Sequence, residues 1–105
     1  MPMHIVSRAL LVSFFSQPVY SDARKALQAW YEAASKAQWR SPADVKAQFG
    51  NASIVSNNRV VFNIKGNDYR LVVAFAYRMG WGFVKFVGTH AQYDAVDAAT
   101  VDQSR

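Results

Sequence analysis

The chain has 105 residues, a length that suits a single domain, and its 51% hydrophobic and 14% aromatic residues exclude a disordered chain. Its net charge is +5 and it contains no cysteine, which excludes disulfides, thiolate metal sites and cysteine nucleophiles. No apolar run reaches the roughly 18 residues of a membrane span, so we expect no membrane partner. The lack of cysteine also fits a reducing cytoplasm, where we expect the protein to act.

The N-terminal part of the chain combines one short strand with helical spacing. Met3–Val6 suits a first strand, and Ser7 is placed to cap a helix that Pro18 ends. Ser21 is placed to cap a second helix, with Asp22 near the positive end of its dipole. One buried face of that second helix is predicted by apolar residues at helical spacing: Leu27, Trp30, Tyr31 and Ala34.

A third helix is indicated by the run Ser41-Pro42-Ala43-Asp44. This run supplies a capping residue, a proline at the first helical position and an acid in the first turn. Val45 and Phe49 form the apolar side of the helix, and Gly50-Asn51 ends it.

The sequence then changes to three runs rich in Val, Phe, Ile and Tyr that are separated by turn signals. These runs predict consecutive antiparallel strands at Arg59–Ile64, Tyr69–Tyr77 and Trp81–Gly88. Their continuous apolar cores indicate that part of each strand is covered on both faces. We therefore predict one α+β domain over residues 1–105, with a small antiparallel sheet, N-terminal helices on one face and a short C-terminal helix. The polar residues 102–105 are expected to fray.

Positive charge is concentrated on these strands. From residue 59 to residue 90 there are five basic residues and one acid, Asp68, which gives a net charge of +4. The basic residues are Arg59, Lys65, Arg70, Arg78 and Lys85. Such a patch attracts polyanions, although a merely solvated basic surface would have the same composition. Lys85 is especially informative, because a mid-strand lysine between Val84 and Phe86 is costly unless its ammonium group reaches solvent or a partner.

The last predicted strand runs into a helix start. Thr89 and Gln92 have the spacing of a capping box, so a short helix is expected to begin at His90. His90 and Tyr93 are three residues apart and share a face of that helix. A histidine exchanges protons near neutral pH, and a helix N-terminus attracts phosphate, so this junction is a candidate for phosphodiester chemistry. The alternative is that His90 only fills the first turn while Tyr93 covers the sheet edge.

Neither a metal nor an organic cofactor is expected. The sequence has two histidines, His4 and His90, and they lie far apart along the chain. Without cysteine, a nitrogen or sulfur ligand set for a transition metal is therefore hard to assemble.

Two motifs in this region carry a resemblance to a known family. The first includes Gly66-Asn67-Asp68-Tyr69-Arg70-Leu71, and the second is Thr89-His90-Ala91-Gln92-Tyr93-Asp94. Together they resemble HigB-type toxins of bacterial type II toxin–antitoxin systems, within the RelE-like superfamily. The chain departs from this resemblance at Gln92, where the family often has Glu; a carboxylate base at this position is therefore excluded, while the capping role is kept.

The resemblance implies a metal-independent endoribonuclease that cuts mRNA on the ribosome and arrests growth until a cognate, HigA-like antitoxin binds it. The implied reaction is attack of the 2′-hydroxyl on the adjacent phosphate. The catalytic residues carried over are His90 for proton transfer, Lys85 for stabilising negative charge, Arg70 for holding the phosphate and Tyr93 for stacking on a nucleotide. Further RNA contacts would come from Asn63, Lys65, Arg59 and Arg78.

Two other functions remain open at the level of sequence. The first is a non-catalytic nucleic-acid-binding module that uses the same basic strands, which would bind RNA in a salt-sensitive way without needing His90. The second is a toxin of the same fold that poisons DNA gyrase, which would damage DNA and leave messages intact. The Thr-His-x-x-Tyr-Asp ending favours RNA over gyrase, by analogy alone.

Overall fold

Strands rich in β-branched and aromatic residues form a five-stranded sheet whose strands, in spatial order, are β1 (His4–Val6), β5 (Trp81–Thr89), β4 (Tyr69–Ala76), β3 (Arg59–Ile64) and β2 (Ser53–Val55). The computed structural model describes residues 2–104. Their elements in chain order are β1 (His4–Val6), α1 (Arg8–Phe15), α2 (Arg24–Lys36), α3 (Pro42–Gln48), β2 (Ser53–Val55), β3 (Arg59–Ile64), β4 (Tyr69–Ala76), β5 (Trp81–Thr89) and α4 (His90–Asp94). Two 3₁₀ helices, Pro18–Ala23 and Tyr77–Met79, complete the fold. None of the helices described is long and apolar enough to cross a bilayer.

The predicted α+β class and the three consecutive antiparallel strands are confirmed. Strands β3, β4 and β5 start at the predicted residues and end within one residue of the predicted ends. Two pairings go beyond the prediction. β2 adds an antiparallel edge strand beside β3, and β1 pairs in parallel with β5, so the sheet is mixed.

The N-terminal helices cover one face of the sheet, here called the helix face. Its core contains the inward residues of α2 that helical spacing predicts, among them Leu27, Trp30 and Ala34, packed against Phe62 and other strand residues. Tyr31 belongs to the same stripe but is only half-buried at its margin. These buried side chains supply the main hydrophobic stabilisation of the domain.

One of the three predicted helix starts differs from expectation: α1 and α3 begin directly after Ser7 and Ser41, as predicted, whereas α2 does not begin after Ser21. Ser7 precedes α1 with a left-handed φ of 75° and makes no side-chain capping bond. Ser21 lies inside the 3₁₀ helix Pro18–Ala23, so α2 begins later, at Arg24. The prediction of a Ser21 cap was therefore wrong, because Pro18 starts a short 3₁₀ helix instead of only ending α1. The predicted start of α3 at Pro42 is confirmed, although Ser41 makes no side-chain capping bond either.

The opposite face of the sheet, here called the tail face, is covered by the end of the chain. Val61, Val72 and Phe86 form a second buried cluster there. Residues 96–104, here called the C-terminal segment, cross this cluster, and Val96, Ala98 and Val101 pack on it together with Tyr93. The sequence-based expectation that both faces are covered is thus confirmed.

The C-terminal segment is anchored by hydrogen bonds along its length. The Arg59 guanidinium donates to the carbonyls of Ala98, at 3.0 Å, and Val101, at 2.6 Å. At the edge of β5, the Gln103 amide N–H donates to the Lys85 carbonyl at 2.7 Å, and the Val87 N–H donates to Gln103 Oε1 at 3.0 Å. The prediction that the chain frays from residue 102 was therefore wrong for residues 102 and 103; Arg105 lies outside the described residues.

Candidate active site

The turn between β3 and β4 meets the start of α4 at one end of the sheet. In the β4–β5 ladder Tyr69 pairs with Thr89 and Arg70 pairs with Gly88. The His90 N–H donates to the carbonyl of Asp68 at 3.1 Å. The hairpin and the strand-to-helix junction are therefore locked together by backbone bonds.

The predicted capping box is present at this junction. Thr89 Oγ1 accepts from the Gln92 N–H at 3.1 Å, and Gln92 Oε1 accepts from the Thr89 N–H at 2.9 Å. Gln92 Nε2 also donates to the Tyr20 hydroxyl at 3.1 Å, which ties α4 to the 3₁₀ helix. A Cβ on Gly88 would lie 2.7 Å from both Gln92 Oε1 and the Phe86 ring, so only glycine leaves room for this arrangement.

His90 is exposed at the first position of α4. Its Nδ1 lies 3.0 Å from Asp94 Oδ2, one helical turn later. This contact fixes the orientation of the imidazole, so Nε2 is the ring nitrogen that points away from Asp94. Sequence analysis quoted Asp94 within the motif without assigning it a role, although the i, i+4 spacing of an acid and a histidine is a readable signal.

Arg70 brings a positive charge to the same end of the tail face. It lies between Asn63 of β3 and Gly88 of β5, and its guanidinium donates to the carbonyls of Asn67 and Tyr69 at 3.1 and 3.2 Å. Within residues 2–104, no carboxylate forms a salt bridge with Arg70. Its charge is therefore not neutralised by a carboxylate of the described residues.

Tyr93 completes this end of the face. Its ring packs at 6.3 Å, centroid to centroid, from the Phe86 ring at the edge of the second buried cluster. Tyr93 remains half-buried, so part of its ring surface is open. We call these residues together the α4 site: Asn63, Arg70, His90, Tyr93 and Asp94.

The hairpin that carries Arg70 is held from the helix face by Asp22. This carboxylate accepts from Lys65 Nζ at 2.7 Å and from the Tyr69 hydroxyl. The hydrogen bond from Lys65, and next the one from Tyr69, lowers the pKa of Asp22 below its ordinary value. The same bond to Asp22, helped by burial, raises the pKa of Tyr69 to about 12.

Lys85 lies on the tail face but apart from the α4 site. The ladder pairs Val72 with Phe86 and Val73 with Val84, which makes Lys85 the extra residue of a β-bulge. Its Nζ lies 3.4 Å from Asp102 Oδ2 of the C-terminal segment and 5.8 Å from the centre of the Phe83 ring. About 13 Å of strand separates it from Thr89. The structure thus puts Lys85 and the α4 site on one face without bringing them into contact.

The sequence of this chain is similar to that of a known protein family. Residues 23–96 match the HigB toxin family, described as the RelE-like toxic component of a toxin–antitoxin system. The chain belongs to the HigB toxin family. Membership implies an antitoxin as a partner. No individually curated protein matches the chain at a significant level.

The matched range of this HigB toxin contains the whole α4 site and most of the sheet, but it stops where the C-terminal segment begins. The pairing of Lys85 with Asp102 therefore depends on a residue outside the matched range. The family match supports the fold and the site region, while the cover on the tail face is known from the structure of this chain alone.

Three basic residues considered for RNA binding in this HigB toxin lie away from the α4 site. Arg59 is 8% exposed, and its guanidinium is bonded to the carbonyls of the C-terminal segment. Lys65 turns to the helix face, where it pairs with Asp22 and Asp68. Arg78 is exposed in the turn at the other end of β4 and β5, roughly 20 Å of strand away from Arg70.

Between residues 2 and 104, no three His, Asp or Glu side chains gather in a group that could hold a metal ion. The groups that remain for chemistry at the α4 site are an imidazole, a guanidinium, a phenol, an amide and a carboxylate.

Proposed function

We propose that this chain is the toxin of a type II toxin–antitoxin pair and acts as a metal-independent endoribonuclease on mRNA. The observation that supports the proposal is that Arg70, with no carboxylate partner among residues 2–104, pairs with Gly88, two residues before His90, at a junction held by backbone hydrogen bonds in a HigB toxin. An anion is attracted to the guanidinium, and an imidazole can take up and return a proton. A phosphodiester flanked by a 2′-hydroxyl needs both functions.

The proposed reaction is an in-line transesterification. The ribose 2′-oxygen attacks the adjacent phosphorus while His90 Nε2 takes the hydroxyl proton. The bond from phosphorus to the 5′-oxygen breaks, and the proton is returned to that leaving oxygen, which gives a 2′,3′-cyclic phosphate and a 5′-hydroxyl. Arg70 holds the phosphate oxygens and stabilises the charge that builds on them. Asp94 holds the imidazole through Nδ1, and Tyr93 supplies a ring surface for a base.

Asn63 and Lys85 have supporting places in this proposal. Asn63 stands opposite Arg70 in the β3–β4 ladder and is close enough to contact the same nucleotide. Lys85 would bind a more distant phosphate of the message, once its ammonium group exchanges Asp102 for RNA. Arg59 and Lys65 are left out because their charged groups are bonded within the protein. Arg78 would contact RNA only beyond the far end of the sheet.

The expected setting is a bacterial cytoplasm in which a HigA-like antitoxin neutralises the toxin and the ribosome presents the message. Family membership supports the antitoxin, and the net charge of +5 favours a partner with acidic segments. The same charge favours ribosomal RNA as a neighbour.

The test is induced expression of the wild-type chain, followed by mapping of 5′ ends on cellular messages. We expect growth arrest and discrete cuts in translated messages. His90→Ala should lower the cleavage rate about 10²–10⁴-fold, and Arg70→Ala about 10²–10³-fold. Arg40→Ala, an exposed arginine on the helix side of the chain, is the matched control and should cut like wild type.

Each variant should keep its circular dichroism spectrum and melting temperature, so that lost cleavage is not lost folding. Intact messages and normal growth at good soluble expression would refute the endoribonuclease. Salt-sensitive RNA binding without cleavage would instead support a binding module, and DNA damage without RNA cleavage would support a gyrase-targeting toxin.

A further inference from the structure

An aromatic row runs along β1 and β5 on the tail face, beyond the area that the C-terminal segment covers. The rings of His4 and Trp81 lie 4.8 Å apart, and the rings of Trp81 and Phe83 lie 5.8 Å apart. Lys85 Nζ stands 5.8 Å from the Phe83 ring at the inner end of the row. We call these four residues the aromatic row: His4, Trp81, Phe83 and Lys85.

Two of the three rings of the row, those of His4 and Trp81, are exposed, and the Phe83 ring is half-buried, although buried positions exist for aromatic residues elsewhere. Trp81 is 37% exposed, whereas the two other tryptophans, Trp30 and Trp39, are 3% and 4% exposed in the helix-face core. On the neighbouring strand β4, the cross-strand partners of Phe83 and Trp81 are Ala74 and Ala76. Because the alanine side chains are small, they leave the ring edges that face β4 uncovered.

No acidic residue lies near the aromatic row in the sequence. The chain has no Asp or Glu before Asp22 and none between Asp68 and Asp94, so neither β1 nor β5 carries an acid. Lys85 stands at one end of the row, and Arg78 is exposed in the turn that precedes Trp81 at the other end. Among residues 2–104, the carboxylate that contacts the row is Asp102, which pairs with Lys85 from the C-terminal segment.

We propose that the aromatic row binds the bases of single-stranded RNA. Exposed rings on a flat strand offer stacking surfaces that suit any base, and flanking cations attract the phosphates. Contact with the rings would stabilise a bound protein as well as a bound RNA. A surface with cations at both ends and no acid on its strands, however, favours a polyanion. This inference rests on the proposed function, since it takes RNA as the substrate, and it adds a second contact area remote from the bond that is cut.

The row and the α4 site would hold separate parts of one strand of RNA. Both lie on the tail face, and the C-terminal segment with Phe86 separates them. His4 and Trp81 lie at the end of β5 that is opposite to Thr89, roughly 25 Å of strand away. The row would therefore set affinity for flanking nucleotides, while the α4 site would act on the scissile phosphate.

Tryptophan fluorescence tests this proposal directly, because Trp81 is the exposed one of three tryptophans. The probe is an unstructured oligoribonucleotide of about 10 nucleotides with 2′-O-methyl groups, which block attack by the 2′-oxygen. We expect titration to quench the emission of wild-type protein. Phe83→Ala and Trp81→Ala, the latter followed by anisotropy of a labelled probe, should each weaken affinity about tenfold or more.

Phe15→Ala is the matched control, since Phe15 is also a half-buried phenylalanine but lies on α1 at the helix face. It should leave the affinity for the probe unchanged. Unchanged affinity of both row variants, with no quenching in wild type, would overturn the proposal. An emission change that follows protein concentration without RNA would overturn it too, because the row would then be a contact between copies of the chain.

The two proposals fail in different ways. If messages are cut while the probe ignores Trp81, the aromatic row is refuted and the endoribonuclease stands. If the probe quenches Trp81 and both row variants weaken binding, but no message is cut, the row is supported and the endoribonuclease is refuted.

Discussion

At the scale of single residues, Asp22 shows how a distant contact takes over a side chain with a plausible local role. Its position suggested a favourable interaction with the dipole of a helix starting at Ser21. In the structure it binds Lys65 and Tyr69 instead, which are 43 and 47 residues away in sequence. Local spacing carries no information about such partners, so the prediction could not have anticipated them. The contact matters for the proposed function because it holds the hairpin that carries Arg70.

The bond from Tyr69 to Asp22 predicts a specific loss of stability at alkaline pH. The pKa of Tyr69 is raised from 10.0 to about 12, so the folded protein holds this proton more tightly than the unfolded chain. The stabilisation is therefore complete below pH 10 and is lost as the pH rises towards about 12. In Tyr69→Phe this part of the pH dependence should disappear. Urea unfolding across that range measures it.

Tyr31→Phe is the matched control, because Tyr31 is half-buried on α2 and touches Arg8 through its ring face. It should keep the alkaline loss of stability that wild type shows. If Tyr69→Phe and wild type lose stability in parallel between pH 10 and about 12, the bond to Asp22 does not stabilise the fold as argued. At the acid end the sign reverses: the pKa of Asp22 is lowered, so its stabilisation is lost as the pH falls below its ordinary value of 3.8.

At the scale of elements, the helix start at the candidate site was easier to predict from sequence than the C-terminal segment that covers the tail face. Thr89 and Gln92 form the predicted capping box because all of its bonds are local, within three residues. Ser41 occupies an equally typical position before α3, yet its side chain makes no capping bond. The Asp44 carboxylate instead accepts from the Arg40 N–H at 2.8 Å. A capping pattern therefore located both helix starts, but not the bonds made at each.

The C-terminal segment was missed because its short apolar residues alternate with polar ones and its anchors are distant. Arg59 is 39 residues from Ala98 and 42 from Val101. The bulge at Lys85 was not predicted either, since a bulge adds no distinctive residue type to the strand. Lys85, the extra residue of this bulge, still lies on the same face as Trp81 and Phe83, and its ammonium group stands 5.8 Å from the centre of the Phe83 ring.

Arg59 should act as the main clamp of the C-terminal segment. Its buried guanidinium bonds two carbonyls, and hydrogen bonds from charged groups contribute about 1.5–3 kcal/mol. Arg59→Ala should therefore lower the free energy of unfolding by about 2–3 kcal/mol and speed proteolysis beyond residue 96. Urea unfolding and limited proteolysis measure the two effects.

The exposed Arg78 provides the comparison for this clamp, since Arg78→Ala removes the same charge and should change stability by less than about 0.5 kcal/mol. Equal stability of the two variants, with equal cleavage of the C-terminal segment, would show that apolar packing on Phe86 holds the segment without help from Arg59.

At the scale of the whole molecule, the charge on the sheet is largely used within the protein. In the sequence, the five basic residues between positions 59 and 90 suggest one positively charged patch. The structure separates them: Arg59 and Lys65 are bonded internally, Lys85 is paired, and Arg70 and Arg78 lie at opposite ends of the sheet. Composition predicts the excess of positive charge. The distribution of that charge depends on the register of the strands and on the path of the C-terminal segment.

The fold class and the strand order of the meander followed from pattern because those signals are local and repeated. The burial of both faces of the sheet could also be predicted from the sequence, because β3, β4 and β5 are too apolar for one face to be exposed to solvent. The element that covers the tail face could not be predicted, because the residues at the end of the chain have the polar composition of a frayed terminus. In the proposed function this cover decides which cations RNA could reach, so the element that was hardest to predict is the one that most affects that proposal.

The pairing of Lys85 with Asp102 therefore leads to a test of whether the C-terminal segment restrains RNA binding. Asp102→Asn removes the negative charge beside Lys85 and should strengthen binding of single-stranded RNA. One additional phosphate contact should make the log–log dependence of affinity on salt steeper by about 0.7. Asp44→Asn changes the net charge equally, but on α3 at the helix face, and should leave that slope unchanged. If both variants shift RNA affinity and slope to the same extent, only the overall charge matters and Lys85 is not an RNA contact.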